Sequence, residues 1–365
     1  MNDKCMKDKL IYLGNAANIH TKRWAMHFSH SYTIIILSFE YAQIDNVQVI
    51  KLDSPIFNGL LRYLWVVPKV IKLLNEFNPK IVHAHYAGGY GLLAALSGFH
   101  PYVLSVWGSD IYQAPRASFF NQLVLKYILG SADYLCSTSI SMSMEASKYT
   151  DRDFVITPFG IDCDLYCPND QLRPQEVIVI GTVKKLDRLY GVDRLIKAFA
   201  LIKYVLPREN LRLLIVGDGD DREQLLSLVS SLGISHCVEF TGMAHQDDVP
   251  GILNRMSIYV ALSRSESFGV AVLEASACGL PVVVSDAGGL PEVVCDGVTG
   301  FIIPNGDPEA ASEAIAQLVT DRDLRNSMGF AGREFVMSYF QWKNCVRKME
   351  ELYANIKNGY ERYAN

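Results

Sequence analysis

Residues 263–289 read SRSESFGVAVLEASACGLPVVVSDAGG, and the pattern of this stretch decides the fold. The apolar run 258–262 before it fits a buried strand that ends in Ser263, Arg264 and Ser265. Helix-forming residues fill 268–278 until Gly279 and Pro281 stop them, and 282–284 is a second buried strand. Strand, loop, helix and strand make one parallel α/β unit. Glu266 sits in the loop and Glu274 two turns up the helix. Between them Ser267, Phe268, Gly269 and Val270 present backbone N–H groups at a helix N-terminus, where orphan donors and the helix dipole favour a phosphate. Gly269 lets a ligand approach the backbone closely. A carboxylate on each side suits hydroxyl-rich groups: Glu274 a ribose diol, Glu266 a sugar hydroxyl. Two glutamates at this spacing, taken alone, also describe a solvated helix edge.

The longer run ESFGVAVLEASACGLPVVVSDAGGLPEVV, followed by DGVTGFII, resembles the donor-site signature of retaining glycosyltransferases of family 4. The resemblance is strong over residues 177–353 and weaker over 10–162. It implies an α/β chain with the GT-B fold, in which two Rossmann-like parallel-sheet domains face a central cleft. Residues 1–165 would bind the acceptor and 166–340 the nucleotide-sugar donor, with 341–365 a C-terminal helix returning to the first domain. In such enzymes the first glutamate lies near the donor sugar and the second binds the ribose, which assigns Glu266 to catalysis and Glu274 to the nucleotide. The resemblance further implies a UDP-sugar donor, no cofactor and no metal. Transfer would retain configuration by front-face attack through a short-lived oxocarbenium ion–diphosphate pair. The implied setting is bacterial surface polysaccharide, such as lipopolysaccharide, built on a glycan or lipid-linked acceptor.

The whole chain agrees with an enzyme of this size. Its 365 residues suffice for two cores, and 50% hydrophobic with 20% charged residues is ordinary for a globular protein. No apolar run reaches bilayer-spanning length, and MNDKCMKDKLIYLG reads as too acidic, with too short an apolar run, for a signal peptide. Eight cysteines without CxxC pairs fit reduced thiols in a cytoplasmic protein, at the inner face of the membrane if the acceptor is lipid-linked. Over 1–165 there are 14 Lys+Arg against 13 Asp+Glu, and 20 against 26 in the remainder, a balance that offers nothing to nucleic acid.

In chain order, 9–14 is a first strand that delivers Gly14 and Asn15 to a loop, with a helix over 19–29. Ligands of open α/β sheets sit at such strand ends, and the resemblance implies a glycine-containing loop here against the donor phosphates and acceptor, which makes Gly14, Asn15 and His20 substrate-site candidates, with His20 equally a helix-start residue. The stretch 56–74, IFNGLLRYLWVVPKVIKLL, combines Tyr63 and Trp65 with Arg62, Lys69 and Lys72 and has no acidic residue from 54 to 75. It fits peripheral contact with anionic lipid, or a packed helix interrupted at Pro68 with its lysines reaching outward. A strand over 80–85 carries His83 and His85, which are read as pointing to opposite faces, with His85 the one nearer the cleft. The strand over 102–106 ends in Trp107-Gly108-Ser109-Asp110. Relatives often have His-Gly-x-Asp there, so Trp107 and Asp110 are candidates, and the missing imidazole argues against acid–base work at Trp107.

The run PFGIDCDLYCPNDQLRPQE, with three prolines, reads as the domain boundary. After the strand over 177–181, Lys184, Lys185 and Arg188 fall where cations could neutralise a departing diphosphate, with Lys184 first. LRLLIVGDGDD runs from a strand into a glycine turn; Gly217 joins the substrate-site candidates, but position 222 is Arg, so the dinucleotide fingerprint is incomplete. The resemblance implies that the backbone just past the strand 238–242 meets the nucleotide base, which makes Met243 a candidate there. Four scattered DxD pairs in an acidic chain carry little weight as a metal site. The alternatives are a UDP-sugar 2-epimerase, which would need a clustered acid–base pair in the first domain, and a non-catalytic sugar-nucleotide binding protein.

Overall fold

The computed structural model describes residues 7–56, 59–207 and 209–359. Contacts divide the chain into two compact units, Met1–Pro158 with Arg347–Asn365, and Phe159–Val346.

The first unit is a seven-stranded parallel sheet: β1 (Lys9–Leu13), β2 (Thr33–Ser38), β3 (Val47–Lys51), β4 (Ile81–His85), β5 (Tyr102–Val106), β6 (Tyr134–Ser137) and β7 (Phe154–Ile156). Their order is β3-β2-β1-β4-β5-β6-β7. The central strands are buried along their length, as the near-continuous apolar runs of parallel sheets require. Right-handed crossovers fix which face each helix covers. The helix Ile19–Phe28, between β1 and β2, lies on one face; Leu60–Phe77, Gly89–Ser97, Phe119–Ser131 and Ile140–Ala146 all advance the other way and lie on the opposite face. The last helix, Trp342–Lys357, packs beside Ile19–Phe28, where His27 Nε2 lies 2.8 Å from Glu350 Oε1 and the rings of Phe28 and Tyr353 are 4.8 Å apart.

The second unit is a six-stranded parallel sheet ordered β10-β9-β8-β11-β12-β13. Its strands are β8 (Ile178–Val183), β9 (Leu211–Val216), β10 (Val238–Gly242), β11 (Ile258–Ala261), β12 (Val282–Ser285) and β13 (Gly300–Ile303). Among the described residues no helix is long and apolar enough to cross a membrane.

The units divide at 158/159 rather than at 165/166, because the proline-rich run folds onto the second unit. The Phe159 ring lies 6.3 Å from Phe268, and the Arg333 guanidinium donates to the carbonyls of Tyr166 at 3.1 Å and Ala277 at 2.5 Å. The return to the first unit comes at Arg347, not 341. Pro68 does not interrupt its helix: Leu60–Phe77 runs through it, with Pro68 exposed and Val66, Val70 and Leu74 buried, so the missing N–H falls on the solvent side. Residues 57–58 of the stretch 56–74 lie outside the described residues. His83 and His85 share one face of β4, their rings 4.6 Å apart. Two residues along a strand is one full period, so the expectation of opposite faces miscounted the pleat.

The buried His83 ties the last helix to the sheet. Its Nδ1 lies 2.5 Å from the Tyr353 hydroxyl and its Nε2 2.8 Å from Ser105 Oγ. Burial lowers the His83 pKa to about 3, and burial with the nearby Arg23 lowers that of His20 to about 4. A base whose folded pKa lies below its unfolded value of 6.5 binds fewer protons when folded, so stability is full above pH 6.5 and falls as pH drops toward the folded values. Acid titration of urea unfolding is expected to show that loss, up to about 1.4 kcal/mol per pH unit for each such histidine. Tyr353→Phe leaves His83 Nδ1 without this partner and should lower stability at pH 7 by about 1–3 kcal/mol in the same measurement.

Candidate active site

Open parallel sheets bind ligands beyond the C-terminal strand ends, where the strand order reverses. In the second unit that point lies between β8 and β11, which pair directly. Lys184 follows β8, and residues 263–269 follow β11. Lys184 Nζ forms an ion pair with Glu266 Oε2, and only 8% and 11% of the two side chains is exposed. Burial alone would lower the Lys184 pKa. The Glu266 carboxylate, with Tyr259 and Tyr190 beyond it, raises it above the ordinary 10.5, so the ammonium stays charged at neutral pH. The Tyr190 ring lies 5.2 Å from that ammonium, and Ser263 Oγ donates to the same Glu266 oxygen at 3.3 Å.

Three further contacts hold the pair in place. Arg264 forks onto Asp193 at 2.8 and 2.7 Å and donates to the Arg188 carbonyl at 2.5 Å, which clasps the β11 loop to the β8 loop. From behind, Ser285 Oγ donates to the Ser263 carbonyl at 2.6 Å and the Gly289 N–H to the Glu266 carbonyl at 2.9 Å. Gly288 turns there at φ +56°, and a Cβ on it would stand 2.0 Å from that Glu266 carbonyl oxygen.

The helix Val270–Ala277 starts at Gly269, with φ +105° and no side-chain cap. Its first intrahelical bonds run from Val272 and Leu273 to the Gly269 carbonyl, so earlier N–H groups have no helical acceptor. Phe268 is buried against the rings of Phe159 and Phe340, which leaves only its backbone for a ligand. Ser267 and Val270 flank it on the same turn. Glu274 is bonded by the Tyr166 hydroxyl, and Gln246 Nε2 donates to Tyr166 at 2.7 Å and to Glu274 Oε1 at 3.5 Å. Burial first, then the Glu274 charge, raises the Tyr166 pKa.

The other candidates of this unit separate. Gly217, at φ +135°, is required because a Cβ would stand 1.9 Å from the Lys184 carbonyl oxygen, so the turn after β9 rests on the Lys184 loop. Lys185 points to solvent beside Asp187 at 3.7 Å, and Arg188 is exposed, with its carbonyl rather than its guanidinium in the clasp. Met243 is 81% exposed beyond edge strand β10.

In the first unit the order reverses between β1 and β4. A Cβ on Gly14 would stand 3.1 Å from His85 Cβ, and the His85 ring lies 4.6 Å from Trp107, tilted 35° to it, with His20 edge-on to Trp107 at 6.1 Å. Four of the sequence candidates therefore meet at one point. His85 is neutral, its pKa lowered well below 6.5 by burial and then by His83 and His20, and its Nδ1 lies 3.2 Å from Thr21 Oγ1. Asn15 is exposed and accepts from the Ala17 N–H at 2.8 Å, a turn-forming contact. Asp110 is buried and accepts from the backbone of Ala87 at 2.8 Å, Gly108 at 2.7 Å and Trp107 at 3.3 Å. Its carboxylate braces the β4 and β5 loops.

The comparisons with known proteins follow this two-unit division. The family described as glycosyl transferases group 1 matches residues 168–335, and glycosyl transferase 4-like matches 9–139. The chain is 29% identical over 317 residues to the N-acetyl-alpha-D-glucosaminyl L-malate synthase of Bacillus anthracis, covering 81% of each. It is 25% identical to the capsular polysaccharide biosynthesis glycosyltransferase CapM of Staphylococcus aureus, covering 85% of each. The chain is a glycosyltransferase. Its fold is that of Anabaena HepE in complex with UDP and glucose, with a TM-score of 0.82 at 20% identity over 95% of this chain and 100% of that one. This similarity identifies the transferase as a GT-B protein.

Arg264, Asp193, Tyr166 and Gln246 were not legible as site residues, because each reaches its partner from a distant stretch of the sequence. The clasp makes a sharp prediction at Gly288. Gly288→Ala forces a side chain against the Glu266 carbonyl at positive φ and should cost about 1–3 kcal/mol of stability by calorimetry. Transfer activity should fall with it, while far-ultraviolet circular dichroism at 20 °C stays that of the wild type.

Proposed function

We propose that the transferase moves a sugar, with retention of configuration, from a UDP-sugar to a hydroxyl of a glycan or lipid-linked acceptor in surface-polysaccharide assembly. The observation that carries this reading is the buried Lys184–Glu266 pair beside the uncapped helix N-terminus at Gly269. A buried ammonium and outward N–H groups at one strand-end crevice suit a diphosphate, whose charge grows as the sugar–oxygen bond breaks. In that step the bond between the anomeric carbon and the diphosphate oxygen breaks, and its electron pair leaves with UDP. The acceptor hydroxyl oxygen bonds the same face of that carbon and gives up its proton. Lys184 and the N–H groups of 268–270 stabilise the leaving charge, Glu266 positions the sugar and holds Lys184, and Glu274 takes the ribose diol. No cofactor or metal enters this account.

The acceptor is assigned to the β1/β4 point of the first unit, where Trp107 offers a ring to a sugar face. Names of relatives support the setting: one is a capsular polysaccharide transferase, and a fold relative was solved with UDP and glucose. The stretch 56–74 is assigned to contact with the cytoplasmic face of a membrane.

Three measurements test the reading. Glu274→Ala should weaken UDP binding by about 1–3 kcal/mol in calorimetry, the scale of a lost charge-assisted hydrogen bond, and an unchanged affinity would remove the ribose role. Glu266→Ala should lower turnover with little change in UDP affinity. Transfer should persist in excess EDTA; a complete loss reversed by Mg²⁺ would overturn the metal-free assignment.

A further inference from the structure

Glu274 lies on the one stripe of the helix Val270–Ala277 that stays partly open to solvent. Val270, Ala271 and Glu274 are half-buried, whereas Val272, Leu273 and residues 275–277 are buried. Positions 270 and 274 are one turn apart, so the Glu274 carboxylate follows the uncapped N-terminus along the same face, about 6 Å further on. A long carboxylate side chain on such a stripe has several rotamers, and a ligand that grips it must first fix one of them.

Two side chains from distant stretches fix it in advance. The Tyr166 hydroxyl donates to the Glu274 carboxylate, and Gln246 Nε2 donates to the Tyr166 oxygen at 2.7 Å and to Glu274 Oε1 at 3.5 Å. The three groups close a triangle. Because the hydroxyl oxygen accepts from the amide, its proton is turned toward the carboxylate, where a bond to an ionised acceptor is the stronger kind. Tyr166 is 4% exposed, and burial followed by the Glu274 charge raises its pKa, so it remains a donor at neutral pH.

Tyr166 is itself anchored to the helix it serves. Its N–H donates to the Asp162 carbonyl at 2.8 Å, and Arg333 Nη1 bridges its carbonyl to that of Ala277, in the last turn of the Glu274 helix. The hydroxyl meets the carboxylate one turn before that bridge. Gln246 opens the turn Gln246–Asp248 after β10, so its amide brings a third stretch to the same point. These two donors fix the plane of the carboxylate, which is what a two-oxygen grip on adjacent hydroxyls requires.

We propose that Tyr166 and Gln246 are positioning residues for the donor: they set the Glu274 carboxylate for a cis-diol, so that the site takes ribonucleoside diphosphates and rejects their 2′-deoxy counterparts. This rests on the reading of Glu274 as the ribose partner and deepens it, because it places ribose selectivity in two residues outside the run that carries both glutamates. A carboxylate free to turn can follow a single hydroxyl. One held in plane is left with an unfilled acceptor when the second hydroxyl is missing.

The test is calorimetry of UDP and 2′-deoxy-UDP on the full chain. Wild type should bind UDP about tenfold more tightly than 2′-deoxy-UDP, the scale of one hydrogen bond to a charged group. Tyr166→Phe, which keeps the ring, should weaken UDP about tenfold and 2′-deoxy-UDP by no more than about twofold, with circular dichroism unchanged. Loss of packing alone would weaken both nucleotides alike. Gln246→Ala, at an exposed position, should shift the ratio severalfold in the same direction, and it carries the decision if Tyr166→Phe does not fold. In the Glu274→Ala background Tyr166→Phe should have no further effect. The proposal is overturned if both variants keep the wild-type preference while Glu274→Ala loses UDP affinity, a result that leaves the ribose reading standing. An additive loss in the double variant also overturns it, since Tyr166 would then act on the nucleotide without Glu274. Unchanged UDP affinity in Glu274→Ala removes the ribose reading itself, and this inference with it.

Discussion

The second unit depends on a buried cation held by a buried anion. An ammonium and a carboxylate that are each nearly out of solvent persist only if their geometry is fixed, since desolvation of either charge costs several kcal/mol. Here the fixing comes from the ends of two adjacent parallel strands. Lys184 is set by β8, Glu266 by β11, the Arg264–Asp193 fork joins their loops, and two glycines after β12 let the chain back onto the Glu266 carbonyl. The helix from Val270 then begins where its unpartnered N–H groups add to the Lys184 field. The arrangement of charge and backbone donors is thus a property of this packed corner and of no single residue in it.

The first unit repeats the topology without repeating the chemistry. Its order also reverses beside a strand that ends in a glycine, but burial keeps the histidines there neutral and Asp110 is consumed by backbone donors. Trp107 over His85 makes this corner aromatic rather than charged. One corner is charged and the other aromatic, a division that follows from what each sheet's reversal point buries.

The same sheet order governs the surface. Because four crossovers of the first unit run in one direction, right-handedness puts their helices in one layer, and three of those helices leave large apolar residues exposed. The helix Ile19–Phe28, in the β1-to-β2 crossover that runs the other way, covers the opposite face together with the returning Trp342–Lys357 helix.

Local sequence settled the parallel α/β class, nearly every strand, and the loop–helix corner around Glu266 and Gly269, because strand burial and helix stops are written in neighbouring residues. It also carried the family resemblance, since that corner is one continuous run. The tertiary structure decided what depends on contacts between distant stretches. Lys184 meets Glu266 across 82 positions, Arg264 meets Asp193 across 71, and His83 meets Tyr353 across 270. It also set the Asp110 carboxylate against the backbone of the β4 and β5 loops, and gathered Phe119, Trp65 and Met144 into one layer. Periodicity within a segment says which side of a helix is apolar; only the packing of the sheet says whether that side faces a core or water.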